Sequence, residues 1–174
     1  MDSIYYKGNC NLVDANEEDA VLFASNIRKR ELREMELLFG VYDPFEAVRN
    51  SIKSSMFSYV FKAPDGEPLI LLGVADIKMN RDVSRHLGIL DGKGGNVWML
   101  SVPAATRYKM EFTKYAAPLA FMLLQSGYDF LTAWYWSGVS TLPKLISRFG
   151  FRPVERSVVN GEVFIRAEWR RNNG

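Results

Sequence analysis

Hydrophobic spacing along the chain switches between a helical period and a period of two. Ala20, Phe23, Ala24 and Ile27 recur at helical spacing. Asp14 or Asn16 can cap that helix, and Glu17, Glu18 and Asp19 fall in its first turn, where the helix dipole favours acids. Leu32, Met35 and Phe39 carry the pattern on, directly or after a break, until Gly40 stops it. Asp43-Pro44 opens a second helix with proline at its first position, and Phe45, Val48 and Ile52 line its apolar face. Ahead of both helices, Ile4 to Val13 reads as a weak first strand.

From Phe57 the period becomes two. Phe57 to Lys62 and Leu69 to Met79 read as paired strands around the turn Pro64-Asp65-Gly66. Asn80 to Gly95 is polar and glycine-rich and reads as a loop. Asn96 to Val102 (NVWMLSV) and Phe130 to Trp136 (FLTAWYW) are short apolar runs, the signature of buried strands. Between them Tyr108 to Ser126 is the longest helix, with Phe112, Tyr115, Leu119, Met122 and Leu123 as its inner stripe and Gly127 at its end. Leu142 to Phe149 is a short helix with Pro143 in its first turn and Gly150 behind it. Val154 to Val159 and Glu162 to Ala167 form a closing hairpin around Asn160-Gly161, the strongest short hairpin signal in the chain. The predicted order is β-α-α-β-β-β-α-β-α-β-β, an α/β fold with a mixed central sheet, in a single domain over 1–174.

Composition removes several classes. With 174 residues, 48% apolar and 24% charged, the chain has the make-up of an ordinary globular domain. One cysteine, Cys10, excludes an internal disulfide framework and a cysteine zinc cluster, and fits a reducing, cytoplasmic setting. One histidine, His86, in a polar loop, cannot by itself make a metal site. No apolar run reaches the ~18 residues of a membrane span, and the first residues lack the basic-then-apolar plan of a signal peptide. The net charge is only +2, but basic residues crowd the C-terminal part: Lys144, Arg148, Arg152, Arg156, Arg166, Arg170 and Arg171, against Glu155, Glu162 and Glu168. Such a face can attract an anion. No named nucleic-acid motif accompanies it, so a solvated surface is the simpler reading.

The element order and the stretch from Asn96 to Val154 resemble the GNAT acyltransferase superfamily. The parallels are the strand NVWMLSV, the long helix after it, the strand FLTAWYW, and LPKLISRFGFRPV, in which Arg148-Phe149-Gly150-Phe151 occupies the family's "-LGF-" phrase. A narrower resemblance is to the GNAT-like proteins of tailed phages, including small internal virion or assembly proteins of short-tailed phages. It rests on VWMLS followed by Arg107, Lys109, Phe112, Lys114 and Tyr115, and on Trp134, Tyr135, Trp136, Ser137 and Gly138. The run from Arg30 to Leu37 (RELREMEL), with Gly40 and Asp43-Pro44, is similar to their first-helix region. This resemblance implies a phage protein acting in the host cytoplasm, or one packaged in the virion.

The superfamily resemblance implies acetyl-CoA as donor and an amine acceptor, with no metal. In the family the fourth strand and long helix hold the pyrophosphate, and the fifth strand splays away to admit the pantetheine arm. Glycines there let backbone N–H groups approach the phosphates, and the helix N-terminus adds positive potential. Here the turn is Val102-Pro103-Ala104-Ala105-Thr106-Arg107-Tyr108: it holds no glycine, and Pro103 removes a donor. Ala104, Ala105 and Thr106 are small enough for close approach, and Arg107 and Lys109 can add charge. The implied cofactor residues are therefore Leu100, Ser101, Val102, Ala104, Ala105, Thr106, Arg107 and Lys109. Tyr135 and Ser137 are the polar groups expected near the thioester, since the family's tyrosine donor is missing after Trp136; Tyr135 also reads as a core residue. Amine attack needs a base. Asp76 and Glu36 are the candidates, each equally readable as a structural or solvated acid.

Trp98, Trp134 and Trp136 should border the cleft. They can wall an acceptor pocket or fill the space a cofactor would take. A splay between Asn96–Val102 and Phe130–Trp136 that stays open favours the enzyme. A tryptophan filling it favours a non-enzymatic protein that kept the fold for virion assembly or for binding a phage or host partner.

Overall fold

The computed structural model describes residues 10–40, 43–77, 93–125, 127–139 and 142–170. Most of the expected first strand, most of the Asn80 to Gly95 loop with His86, and Ser126, Ser140, Thr141 and Arg171 lie outside the described residues, as do the side chains of Phe39, Met122 and Leu123.

The strands are β1 (Asn11–Asp14), β2 (Phe57–Lys62), β3 (Pro68–Asp76), β4 (Gly94–Ser101), β5 (Phe130–Trp136), β6 (Arg152–Val159) and β7 (Glu162–Arg170). The helices are α1 (Glu17–Asn26), α2 (Lys29–Phe39), α3 (Pro44–Ser54), α4 (Lys109–Gln125) and α5 (Leu142–Arg148), and a 3-10 helix (Pro103–Tyr108) leads into α4. All seven strands form one mixed sheet in the order β1-β2-β3-β4-β5-β7-β6. Its neighbours are antiparallel except β4 and β5, which run parallel. A parallel pair needs a crossover, and α4 supplies it.

Local chemistry explains the boundaries. Asn16 caps α1 by accepting from the Glu18 and Asp19 N–H groups, and Asp19 returns the bond to the Asn16 N–H at 2.9 Å, a capping box. Asp43 caps α3, with Pro44 at its first position. The helical run from Ala20 to Phe39 does break. Ile27 and Arg28 adopt extended backbone with ψ of 144° and 139°, so α1 and α2 are separate and, among the described residues, three helices rather than two precede β2. Buried Ile27 anchors that break in the core. At the closing hairpin, Asn160 and Gly161 take φ of 51° and 81°, the left-handed pair that a two-residue turn requires.

The core lies on both faces of the sheet. On one, Phe61 is fully buried and meets Phe112 and Tyr115 of α4 edge-on, with ring centroids 5.5 and 5.3 Å away. Burial of such a ring contributes about 1.5–3 kcal/mol. The Tyr115 hydroxyl donates to the Cys10 carbonyl at 2.8 Å, tying α4 to the chain ahead of β1. The buried setting makes Cys10 a packing residue and pushes its thiol pKa up, away from nucleophilic use. On the other face α1 and α3 pack together, and their Phe23 and Val48 are fully buried. The basic C-terminal stretch is not a uniformly solvated surface. Arg166 is buried and paired with Glu155 at 2.8 Å and Glu168 at 3.1 Å, while Arg170 bonds Glu168.

Candidate active site

The parallel pairing of β4 and β5 is short. It runs from Gly94–Phe130 to Val97–Ala133 and stops. Each strand then keeps only its outer neighbour: β4 stays with β3 as far as Ser101–Ile70, and β5 stays with β7 as far as Trp136–Phe164. The strands therefore part into a V. The Val102 N–H donates to the Leu69 carbonyl, so the alternation of the ladder turns the backbone groups of Met99 and Ser101 into the V. The Ser137 N–H donates to the Val163 carbonyl, so Trp134 and Trp136 turn theirs in from the opposite side.

Helix α2 lies across the open end. At its start the Arg28 N–H reaches the Ser101 carbonyl at 3.4 Å, and the Arg28 guanidinium donates to the Val102 carbonyl at 3.2 Å and the Thr106 hydroxyl at 2.9 Å. Glu31 accepts from the Ser101 N–H at 2.6 Å and the Ser101 hydroxyl at 2.5 Å. Glu34 crosses to the other arm and accepts from the Trp136 N–H at 3.0 Å. Near the helix end, the Leu37 carbonyl accepts from the Asn160 side chain at 2.8 Å. From Arg28 to Leu37 an α-helix rises about 14 Å at ~1.5 Å per residue. Two acids on successive turns thus replace, at the ends of β4 and β5, the pairing that the strands lose by diverging.

Burial governs the charge of these acids. Desolvation pushes the Glu34 carboxyl up to about 7, opposed by the Trp136 N–H and reinforced by Glu31. Desolvation raises Glu31 as well, although its two bonds from Ser101 and the nearby Arg28 and Arg30 favour the charged form. A carboxyl poised near neutrality in a cleft is a common mark of a functional site.

Solved structures of several acetyltransferases share this architecture. The Salmonella typhimurium protein yncA, an acetyltransferase candidate solved with its cofactor acetyl-CoA, superposes with a TM-score of 0.66 at 11% identity, covering 96% of this chain and 96% of that one. The ribosomal protein S5 alanine acetyltransferase of Vibrio fischeri gives 0.64 at 12% identity, over 99% and 98% of the two chains. A GNAT-family acetyltransferase of Bacillus anthracis gives 0.64 at 7% identity, over 92% and 94%. The fold is that of the GNAT acetyltransferases. No protein-family model matches the sequence, and no curated protein matches it either. At this identity the likeness reaches the GNAT fold and stops there.

Within that GNAT fold the expected site residues scatter. Leu100, Val102 and Ala105 are buried; the backbone of Leu100 faces β3, and the Val102 N–H is held by the Leu69 carbonyl. The Ala105 N–H is taken by the Val102 carbonyl, and both donors of Ser101 are taken by Glu31. Ser101 is therefore a tether for α2. Ala104 is half-buried, and Thr106, Arg107 and Lys109 are exposed along the turn. Tyr135 is 6% exposed within the core cluster and on the opposite face of β5 from Trp134 and Trp136. Ser137 is exposed just past β5.

The expected bases fall elsewhere. Asp76 pairs with Gly95, at the closed end of the V, and accepts the Tyr128 hydroxyl at 2.5 Å. The antiparallel register carries β3 away from the open end as β4 approaches it. Glu36 is on the exposed side of α2, paired with Arg33 at 3.4 Å. The tryptophans lean apart. Trp98 tilts toward β3, over Gly73, where an added Cβ would lie 2.5 Å from its ring, and its indole N–H donates to the Ser55 hydroxyl. Trp136 sends its indole N–H to Glu162 on β7 at 3.0 Å. Trp134 is 37% exposed. Trp98 and Trp136 thus lean away from each other across the V.

The structure adds Arg28, Glu31 and Glu34 to the candidate residues. The spacing carries a signal for the two acids: Glu31 and Glu34 lie three apart on α2 and face the strand ends, where an inward face expects apolar side chains.

Proposed function

We propose that the chain is an acetyl-CoA-dependent N-acyltransferase whose acceptor is an amine of a host protein or small molecule. The observation that carries this reading is the V between β4 and β5. It is a slot lined by backbone: the N–H and carbonyl of Met99 point into it and meet no strand. An amide-bearing arm is the kind of ligand that fits, because it can add to β4 as a short strand would. The 3-10 turn stands at the end of the same strand. Exposed Arg107 and Lys109 supply charge there for phosphates, and Arg28 holds the turn in place. Ser137 stands beyond the opposite arm. Tyr135, buried, supports that arm from the core rather than offering its hydroxyl.

Calorimetric titration with acetyl-CoA, with free CoA as control, tests the reading. Micromolar binding that weakens about tenfold in Arg107→Ala, about 1.4 kcal/mol, is the expected result. No heat and no thermal shift at millimolar acetyl-CoA refutes it.

A second reading is a non-enzymatic protein of phage origin that keeps the fold for virion assembly or host binding. Two observations favour it: the turn has no glycine, and α2 holds the strand ends at Ser101 and Trp136. The same refuting titration is its expected outcome.

A further inference from the structure

The acids that the family resemblance offered as candidate bases, Asp76 and Glu36, stand at the closed end of the V and on the outer side of α2. One carboxylate does reach the open end from the β5 side. Glu34 uses Oε1 to accept the Trp136 N–H, and among the described residues Oε2 has no hydrogen-bond partner. Glu31, one turn earlier, has both oxygens engaged by Ser101. So the two acids differ: Glu31 fastens α2 to β4, and Glu34 holds an oxygen in reserve beside the divergence.

Resting on the acyltransfer reading, we infer that Glu34 is the general base that takes the proton of the acceptor ammonium, and that α2 is the positioning element that holds it at the V. The step balances as follows. Glu34 Oε2 takes one proton from the ammonium. The freed nitrogen lone pair forms the C–N bond at the carbonyl carbon of the acyl thioester. The C–S bond breaks and its electron pair leaves on sulfur, which receives the second nitrogen proton. Glu34 then releases its proton to solvent.

Charged neighbours set the working range. Glu31 and Arg30 face Glu34 from α2 itself. On the strand side its partner is the Trp136 backbone, and Glu162 of β7 sits beyond, on the Trp136 indole. Arg28 lies toward β4. Desolvation dominates this balance and leaves the carboxyl able to accept and release a proton near neutral pH.

The test compares the full-length protein with Glu34→Gln, which keeps an oxygen for the Trp136 N–H but cannot take a proton. Thiol release from acetyl-CoA is followed with two small amines: ethylamine, protonated at neutral pH, and hydroxylamine, largely unprotonated there. The wild type should use both. Its kcat/KM with ethylamine should carry an acid limb near pH 7 in addition to the amine's own ionisation. Glu34→Gln should lose about 100-fold in kcat with ethylamine, lose that limb, and keep the hydroxylamine rate and the KM for acetyl-CoA within threefold or so. A merely structural role would depress both amines alike. Equal losses with both amines, or an unchanged ethylamine profile, overturn the inference. So does thiol release no faster than the uncatalysed reaction with either amine in a protein that binds acetyl-CoA. Absence of acetyl-CoA binding instead removes the acyltransfer reading on which the inference rests.

Discussion

Replacing Glu34 by Gln should change how stability depends on pH, whatever the chain's substrate. The perturbation is small in shape: glutamine is isosteric and keeps an acceptor for the Trp136 N–H. What disappears is the titration. In the folded chain the Glu34 carboxyl is raised from 4.5 to about 7, mainly by burial. Between those values the folded chain holds a proton that the unfolded chain has released. Unfolding free energy therefore falls as pH rises through this window, and the loss is complete above the folded value. The gap corresponds to about 3 kcal/mol at 1.36 kcal/mol per pH unit, and solvent at this half-buried site trims it to about 2. Glu31 is raised too and adds a slope of the same sign. The difference between the two proteins isolates Glu34. Urea denaturation of wild type and Glu34→Gln at pH 5 and pH 8 is the assay. The stability of Glu34→Gln relative to wild type should rise by about 2 kcal/mol between the two pH values, or about 2–4 °C of Tm per kcal/mol at this chain length. An equal difference at both pH values refutes the reasoning, because Glu34 would then be ionised in the folded chain as freely as in the unfolded one.

Two further substitutions probe the frame around the V. Gly73→Ala places a Cβ 2.5 Å from the Trp98 ring, so the indole must shift and its bond to Ser55 must break; a loss of about 1–3 kcal/mol in denaturant melts, with a change in tryptophan fluorescence, is expected. Arg166→Ala leaves Glu168 buried without that partner and should cost about 3–5 kcal/mol, whereas Arg166→Met together with Glu168→Leu should recover most of it, as paired thermal melts will report.

The elements were legible because each has a local cause. The Asn16 capping region, Pro44, the Phe112–Tyr115–Leu119 stripe and the Asn160-Gly161 turn act within a few residues of themselves, and each stands where its pattern placed it. The break at Ile27–Arg28 was visible only as an ambiguity, because the helical spacing persists across it. The site was less legible. Trp98, Trp134 and Trp136 sit on the two diverging strands as expected, but Trp98 lies over Gly73 and Trp136 bonds Glu162, contacts made across the sheet between residues 25 and 26 positions apart. Asp76 stands at the closed end of the V, a matter of antiparallel register. Glu31 and Glu34 had the right place and were hidden in a charged helical run.

By itself, then, the sequence determined the α/β class, the strands from β2 onward and the turn after β4, because periodicity, caps and turn residues are short-range properties of the chain, but not the split of the first helical run. Only the tertiary structure decided where β4 and β5 part, and that α2 lies across the gap with one acid on each arm. Those features join Glu31 to Ser101 and Glu34 to Trp136, 70 and 102 positions apart. Desolvation of a carboxyl depends on what packs around it in space, so the chemistry of Glu34 exists only once the sheet has closed beneath the helix.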